Sequence, residues 1–205
     1  MILCDIGNSN VDFYHDGKVW TLSLKEFEQY MPSEKVYYIN VNPQMASILK
    51  QKNDFIDIEE YFVLDTIYQG MGIDRIAACY TVKNGIVIDA GSAITVDIML
   101  NHIHLGGYIL PGLSAYSESY KNISKNLDTR LNPNIILDAL PQKTEDAVSY
   151  GIVKSIVMML EETSKNKNIF FTGGDGQFFS KFFENSIYDK TLIFRGMLKA
   201  IKEKG

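Results

Sequence analysis

The sequence predicts an α/β protein made of two copies of one βββαβα-type unit, and three observations carry that expectation. Apolar β-forming runs alternate with helical patterns along the whole chain. The segments Asp5-Ile6-Gly7-Asn8-Ser9 and Asp89-Ala90-Gly91-Ser92, 84 positions apart, are the same device. In each, an Asp closes an apolar strand, a Gly follows two residues on, and small polar residues lead into a returning strand. Each device is followed by a third strand, and the spacing is far too long for a solenoid. The expected boundary lies near Asn84, giving domains over 1–84 and 85–205 with a cleft between them.

In the first copy, strands are expected over Ile2–Ile6, Val11–His15 and Val19–Leu22. Asp16-Gly17 between the last two is a strong hairpin signal. A short helix near Lys25–Tyr30 leads to the β-rich run Val36–Val41, and Pro43 suits the start of a helix over Gln44–Lys50. A strand near Tyr61–Leu64, a loop over Asp65–Gly72 and a helix from about Asp74 to Val82 complete the copy. The second copy restarts with strands over Gly85–Asp89, Ala93–Leu100 and Ile103–Leu110, the last ended by Pro111-Gly112. Helices are expected near Leu113–Lys125 and Thr144–Ser164, where Ile152, Val153, Ile156, Val157 and Leu160 have helical spacing. A strand over Asn168–Thr172, the turn Gly173-Gly174-Asp175-Gly176, a helix, a strand over Thr191–Phe194 and a terminal helix end the chain.

Composition narrows the function classes. The 205 residues are 46% hydrophobic and 22% charged, too apolar and too weakly charged for a disordered chain. A chain of this length buries enough surface to fold without disulfides or a structural metal. The net charge of -5 and pI near 5.2 argue against a nucleic-acid or membrane-surface partner. Arginine occurs only at Arg75, Arg130 and Arg195, and no basic stripe forms. Cys4 and Cys79 belong to no metal or redox motif and read as buried thiols in a reducing compartment. The start, MILCDIGNSN, lacks a basic n-region, and no run of about 20 apolar residues exists. A cytoplasmic protein is expected.

A strand-end Asp beside a glycine turn places a carboxylate next to exposed backbone N–H groups. That combination suits a metal-bound phosphate chain, with amides for its oxygens and a carboxylate for Mg²⁺ or its waters. One such turn is common for local reasons, since Asp, Gly, Asn and Ser dominate turns. Two copies, each opening a duplicated half, favour a clamp on polyphosphate. The second copy adds Thr95 and Asp97 on the returning strand, and an Asp inside that apolar run needs a partner or a cation if buried. In Gly70-Met71-Gly72-Ile73-Asp74-Arg75, Asp74 sits where a glycine loop meets a helix. It suits a helix cap, or a general base for a hydroxyl with Arg75 gripping an anionic group of the same substrate. The Gly106-Gly107 and Gly173-Gly174 clusters close strands as turns, and the second, preceding a helix, could face a nucleotide. His102 and His104 would share a strand face and read as exposed hairpin residues rather than a metal pair.

Taken together and in order, Asp5-Ile6-Gly7-Asn8-Ser9, Gly72-Ile73-Asp74-Arg75, Asp89-Ala90-Gly91-Ser92-Ala93-Ile94-Thr95-Val96-Asp97, Gly106-Gly107-Tyr108-Ile109-Leu110-Pro111-Gly112 and Thr172-Gly173-Gly174-Asp175 resemble the motifs of type III pantothenate kinases. The resemblance spans nearly the whole chain. It implies two duplicated ribonuclease-H-like domains, mixed sheets with flanking helices, around a nucleotide cleft. That is the fold of acetate and sugar kinases, actin and the heat-shock chaperone ATPases.

The implied activity is ATP-dependent phosphorylation of pantothenate to 4'-phosphopantothenate, the first step of coenzyme A biosynthesis. By resemblance Asp74 is the base, while Gly72, Ile73, Arg75, Tyr68 and Gly107 contact pantothenate. Asp5 organises Mg²⁺, and Ile6, Gly7, Asn8, Ser9, Asn10, Val11, Asp12, Ser92, Thr95, Gly173 and Gly174 surround ATP and its phosphates. Asp89 matches the position linked to a monovalent cation, K⁺ or NH₄⁺, and Asp97 a second acid near the cations. Thr144 matches a threonine that reaches the pantothenate site from the partner subunit, which implies a homodimer with a shared active site. Ser9 and Ser92 stand where the family usually has Thr, keeping the hydroxyl and losing a methyl. Two other readings stay open: a kinase for another small hydroxy acid, and a non-catalytic nucleotide-binding regulator of the same fold. Retention of a base beside the two acidic turns argues against the regulator.

Overall fold

The computed structural model describes residues 1–205. The chain packs as two compact units, one of Met1–Asn84, Asp97–Gly106 and Asp189–Gly205, the other of Gly85–Val96 and Gly107–Tyr188. In the first unit β1 (Ile2–Ile6), β2 (Asn10–His15) and β3 (Lys18–Ser23) form a meander. Asp16 and Gly17 both take positive φ in the β2–β3 turn, as a two-residue hairpin of this kind requires. Helix α1 (Leu24–Gln29) starts with a capping box, in which Ser23 and Glu26 satisfy each other's backbone N–H. Then come β4 (Val36–Asn40), a 3₁₀ turn at Pro43–Met45, α2 (Ala46–Leu49) and β5 (Phe55–Asp57). The sheet order is β3-β2-β1-β4-β5, with β4 parallel to both β1 and β5. Its core gathers Ile2, Cys4, Ile6, Val11, Phe13, Phe27, Val36 and Phe55, and the Phe13 ring stacks on Trp20 at 5.2 Å.

The expected strand at Tyr61–Leu64 is absent. A 3₁₀ turn occupies Glu59–Tyr61, and a two-residue strand, β6 (Asp65–Thr66), follows. The strand of this region is β5 instead, three residues set beside β4. Helix α3 (Ile73–Cys79) then presents Ile73, Ala77, Ala78 and Cys79 to the interior and packs against the terminal helix of the same unit.

The second sheet repeats the plan. β7 (Gly85–Ala90), β8 (Ala93–Leu100) and β9 (Ile103–Pro111) are followed by α4 (Leu113–Ile123), α5 (Thr144–Ser164), β10 (Ile169–Thr172), α6 (Gly176–Ser180) and β11 (Ser186–Tyr188). With β6 added beside β9 at one edge, the order β9-β8-β7-β10-β11, with β10 parallel to β7 and to β11, is the order of the first sheet restated. The same five-strand topology twice in one chain bears out the duplication read from the two turns. The last helix, α7 (Leu192–Lys204), begins where a strand over Thr191–Phe194 was expected. Leu192, Ile193 and Phe194 look β-like alone, but burial continues at Met197 and Ala200, which is helical spacing. Both cysteines are buried and free, as expected. No helix is long and apolar enough to cross a membrane.

Candidate active site

The first unit concentrates chemistry at the N-terminus of α3. Gly72 is the N-cap, and Asp74 lies in the first turn, where the positive end of the helix dipole favours an anion. Burial raises the Asp74 pKa above the ordinary carboxylate value, and its hydrogen bond from the Arg75 amide (2.8 Å) and the Arg75 charge pull back only in part. Asp74 is thus a carboxylate with an increased appetite for a proton, placed on a fixed helical turn.

Arg75 points inward, 5% exposed, and its partner is Asp97 on β8, 1% exposed. Arg75 Nε donates to Asp97 Oδ2 at 3.0 Å and an Nη2 hydrogen to Oδ1 at 2.7 Å, a two-pronged pair. Arg75 Nη1 donates to the Tyr68 hydroxyl at 3.3 Å, and the guanidinium lies over the Tyr68 ring at 4.8 Å. Burial works to lower the Arg75 pKa, but the bonds to Asp97 and Tyr68 outweigh it and hold the cation firmly protonated. So Tyr68, Asp74, Arg75 and Asp97 come together, and the buried Asp97 has the partner its burial demanded. His104 and Thr66 join them. His104 Nε2 meets Asp97 Oδ1 at 2.8 Å, and His104 Nδ1 meets the Thr66 hydroxyl at 2.7 Å.

His104 corrects the reading of an exposed hairpin histidine: it is 1% exposed. The cause is the parallel pairing of β6 with β9, which sets Thr66 beside His104. His102 stays exposed, but it lies in the turn with φ +66° and shares no strand face with His104.

Also in the first unit, Asp5 lies one residue before the end of β1 and Asp12 opposes it in register on β2, so the two carboxylates share a sheet face. The Asp12 carboxylate accepts from the Thr21 hydroxyl. Gly7 makes the turn through its N–H to the Asn10 carbonyl (3.0 Å), and Asn8, Ser9 and Asn10 are exposed around it, while Ile6 and Val11 are buried behind it. Asn42, not foreseen from the sequence, is 4% exposed and ties its side-chain amide to the Gly7 carbonyl at 3.3 Å. Its signal was the Asn-Pro start of the 3₁₀ turn, where its oxygen caps the Gln44 N–H.

In the second unit Asp89, one residue before the end of β7, is in register with Thr172 of β10. Gly173 takes φ +80°, and a Cβ there would lie 2.3 Å from Asp89 Oδ1, so only glycine lets the turn close on the carboxylate. The Asp175 N–H anchors the same turn to the Ala90 carbonyl at 2.8 Å. Ser92 and Gly174 are exposed, and Thr95 and Gly107 are half-buried on β8 and β9. Thr144 is exposed at the first residue of α5.

A family model described as type III pantothenate kinase matches residues 63–166, a span that holds Asp74, Arg75, Asp89 and Asp97. A Campylobacter jejuni protein named type III pantothenate kinase is 55% identical over 203 residues, 99% of this chain and 97% of its own. The chain belongs to the type III pantothenate kinase family. A Campylobacter jejuni crystal structure described as a conserved Baf family transcriptional activator has 52% identity and a TM-score of 0.92, covering 100% of this chain and 98% of that one. A Sinorhizobium meliloti structure described as a 2-dehydro-3-deoxygalactonokinase superposes with a TM-score of 0.60 at 10% identity, over 98% of this chain and 96% of that one. That likeness is one of fold alone: two mixed sheets with flanking helices, as expected from the sequence.

The donors of this family member are hard oxygens. No group of three or more His, Cys, Asp or Glu stands together as a metal cage. One or two carboxylates, as Asp5 and Asp12 supply, suit Mg²⁺, which keeps waters and takes its remaining ligands from phosphates. The residues therefore fit a divalent ion that arrives with a nucleotide. The two thiols are unsuited to either task, since burial pushes both the Cys4 and Cys79 pKa values well up and leaves them protonated.

Proposed function

We propose that this chain transfers the γ-phosphoryl group of ATP to the primary hydroxyl of pantothenate, forming 4'-phosphopantothenate in the first step of coenzyme A biosynthesis. The observation that carries the reading is the Asp74–Arg75 pair: a proton-seeking carboxylate next to a buried, immobilised guanidinium at one helix start. The pantothenate hydroxyl oxygen forms the new bond to phosphorus as the bond to the β–γ bridging oxygen breaks. Asp74 takes the hydroxyl proton at its carboxylate oxygen. In a loose transition state that proton leaves late, so positioning and charge neutralisation dominate the acceleration.

Three donors of Arg75 are engaged by Asp97 and Tyr68, and two of its five N–H groups remain to hold the pantothenate carboxylate. Gly72, Ile73, Tyr68 and Gly107 complete that subsite. The segment Asp5–Asp12, with Ser92, Thr95, Gly173 and Gly174, binds ATP through turn amides and hydroxyls. Mg²⁺, held through Asp5, supplies neutralisation of the phosphate charge. Asp89 binds K⁺ or NH₄⁺. The working enzyme is a homodimer in which Thr144 reaches the partner's pantothenate site, a role supported by its exposure at the start of α5.

The reading as a non-catalytic nucleotide-binding regulator is disfavoured by the retained Asp74 beside the two acidic turns. The deciding experiment is pantothenate-dependent ADP release with ATP and Mg²⁺, with and without K⁺ or NH₄⁺, beside Asp74→Asn. Turnover that requires pantothenate and collapses in the variant supports the reaction and the base together. Turnover indifferent to pantothenate in a folded protein overturns the substrate.

A further inference from the structure

We infer that His104 is a positioning residue for Arg75: acting through Asp97, and held in one tautomer by Thr66, it fixes the plane in which the guanidinium is offered to the substrate anion. The inference rests on the reading of Arg75 as the group that holds pantothenate.

The hydrogen bonds orient themselves. The Asp97 carboxylate accepts both Arg75 bonds, and His104 Nε2 is assigned the hydrogen that it donates to Oδ1 at 2.8 Å. With that hydrogen on Nε2, Nδ1 is left to accept from the Thr66 hydroxyl at 2.7 Å. The same hydroxyl accepts from the Tyr68 N–H at 3.0 Å. The polar path therefore runs from the Tyr68 amide through Thr66, His104, Asp97 and Arg75, and returns to the Tyr68 hydroxyl. Tyr68 also sets its ring edge to face against His104 at 5.8 Å while its face receives Arg75. Every rotatable group in the circuit is held at two points.

The consequence is specific to Arg75. Two bonds from a guanidinium leave a carboxylate free to rock about the shared plane. A third bond, from His104 to Oδ1, removes that freedom. With His104 and Asp97 each 1% exposed, water cannot substitute for a missing donor. An apolar side chain would fill the same space without desolvation cost, so the network contributes geometry rather than burial.

The test compares His104→Phe, which keeps a ring against Tyr68 and deletes both nitrogens, with His104→Gln, whose amide can donate toward Asp97. Thr66→Val and Arg75→Gln accompany them. For His104→Phe the KM for pantothenate is expected to rise roughly 10- to 100-fold, with kcat and the KM for ATP little changed. His104→Gln should recover most of that loss, and Thr66→Val should raise the pantothenate KM by a smaller factor. If His104→Phe fails to fold, the His104→Gln and Thr66→Val measurements carry the test, because an unchanged pantothenate KM in Thr66→Val breaks the circuit. A raised KM in Arg75→Gln with no change in His104→Phe overturns the positioning role alone. Parallel rises in both KM values with a lower melting temperature would make His104 structural and overturn it too. An unchanged pantothenate KM in Arg75→Gln overturns the reading beneath it.

Discussion

Gly72 and Asp74 approach so closely that a Cβ on Gly72 would lie 2.5 Å from Asp74 Oδ1. The backbone at Gly72 has φ −63°, open to any residue, so the glycine is required by space and not by conformation. The atom it would displace is the end of a short side chain, and that atom belongs to the proposed base.

Gly72→Ala should therefore act on chemistry before stability. The methyl pushes the carboxylate aside, and a displacement near 1 Å can cost on the order of 100-fold in rate. We expect kcat to fall by roughly 10- to 100-fold, with the melting temperature moved by no more than about 4 °C. Steady-state kinetics beside a thermal melt check both. Wild-type kcat in the alanine variant would show that Asp74 is not held where the reaction needs it.

Asp74 itself should show a trade of stability against activity. Its folded-state pKa is raised by burial, so the folded protein binds that proton more tightly than the unfolded chain does. Ionised Asp74 opposes folding once the pH exceeds the ordinary carboxylate value, and the opposition grows until the pH passes the folded value. Asp74→Asn should lose about 10²- to 10⁴-fold in kcat, yet melt at or above the wild-type temperature at neutral pH. That advantage should fade as the pH falls from the raised folded-state value toward the ordinary carboxylate value, and be gone below it. In the wild type the acid limb of kcat/KM should lie above the ordinary carboxylate value, because the base works only when ionised. A pH–rate profile and melts at several pH values test the two halves separately.

The acidic turns were legible because their chemistry is local: Asp5 and Asp89 each carry their glycine and their hydroxyls within a few residues. The duplication was legible for the same reason, and the topology of both sheets follows it. His104 was not. Its burial depends on β6, a strand of two residues whose partner lies 38 positions away, and no period can show in two residues. The apparent strand over Thr191–Phe194 failed for a related reason: three large apolar residues in a row fit a strand or a buried helix start, and only Met197 and Ala200 downstream decide. Asp97 falls between these cases, since its need for a partner could be read and the partners could not.

The pairing of Arg75 with Asp97 should show its cost when halved. Asp97→Leu strands a buried guanidinium and also removes the acceptor of His104, so a loss of about 3–5 kcal/mol is expected. Arg75→Met leaves Asp97 with its bond from His104 and should cost less. The double variant Arg75→Met/Asp97→Leu should recover much of the Asp97→Leu loss in stability, although the pantothenate KM stays raised. Urea unfolding of the three variants measures the ranking. Equal losses in the two single variants would show that His104 contributes nothing to holding Asp97.

Gly173 and Asp89 offer a way to separate fold from cation at the second turn. Gly173 has φ +80°, and its missing Cβ would sit 2.3 Å from Asp89 Oδ1 and 2.5 Å from the Ala90 carbonyl oxygen. Gly173→Ala therefore meets two penalties, a left-handed backbone worth about 1–2 kcal/mol and a collision with main-chain atoms that cannot swing away. It should lower the melting temperature and the activity together. Asp89→Asn keeps the shape of the side chain and removes only its charge. If Asp89 holds K⁺ or NH₄⁺, its activity should become nearly independent of the monovalent ion, or require at least about 10-fold more of it, a difference of about 1.4 kcal/mol. Titrating KCl and NH₄Cl into both variants distinguishes the cases. A normal cation response in a folded Asp89→Asn protein would move the monovalent site away from this turn, while leaving Gly173 as the residue that lets the turn close.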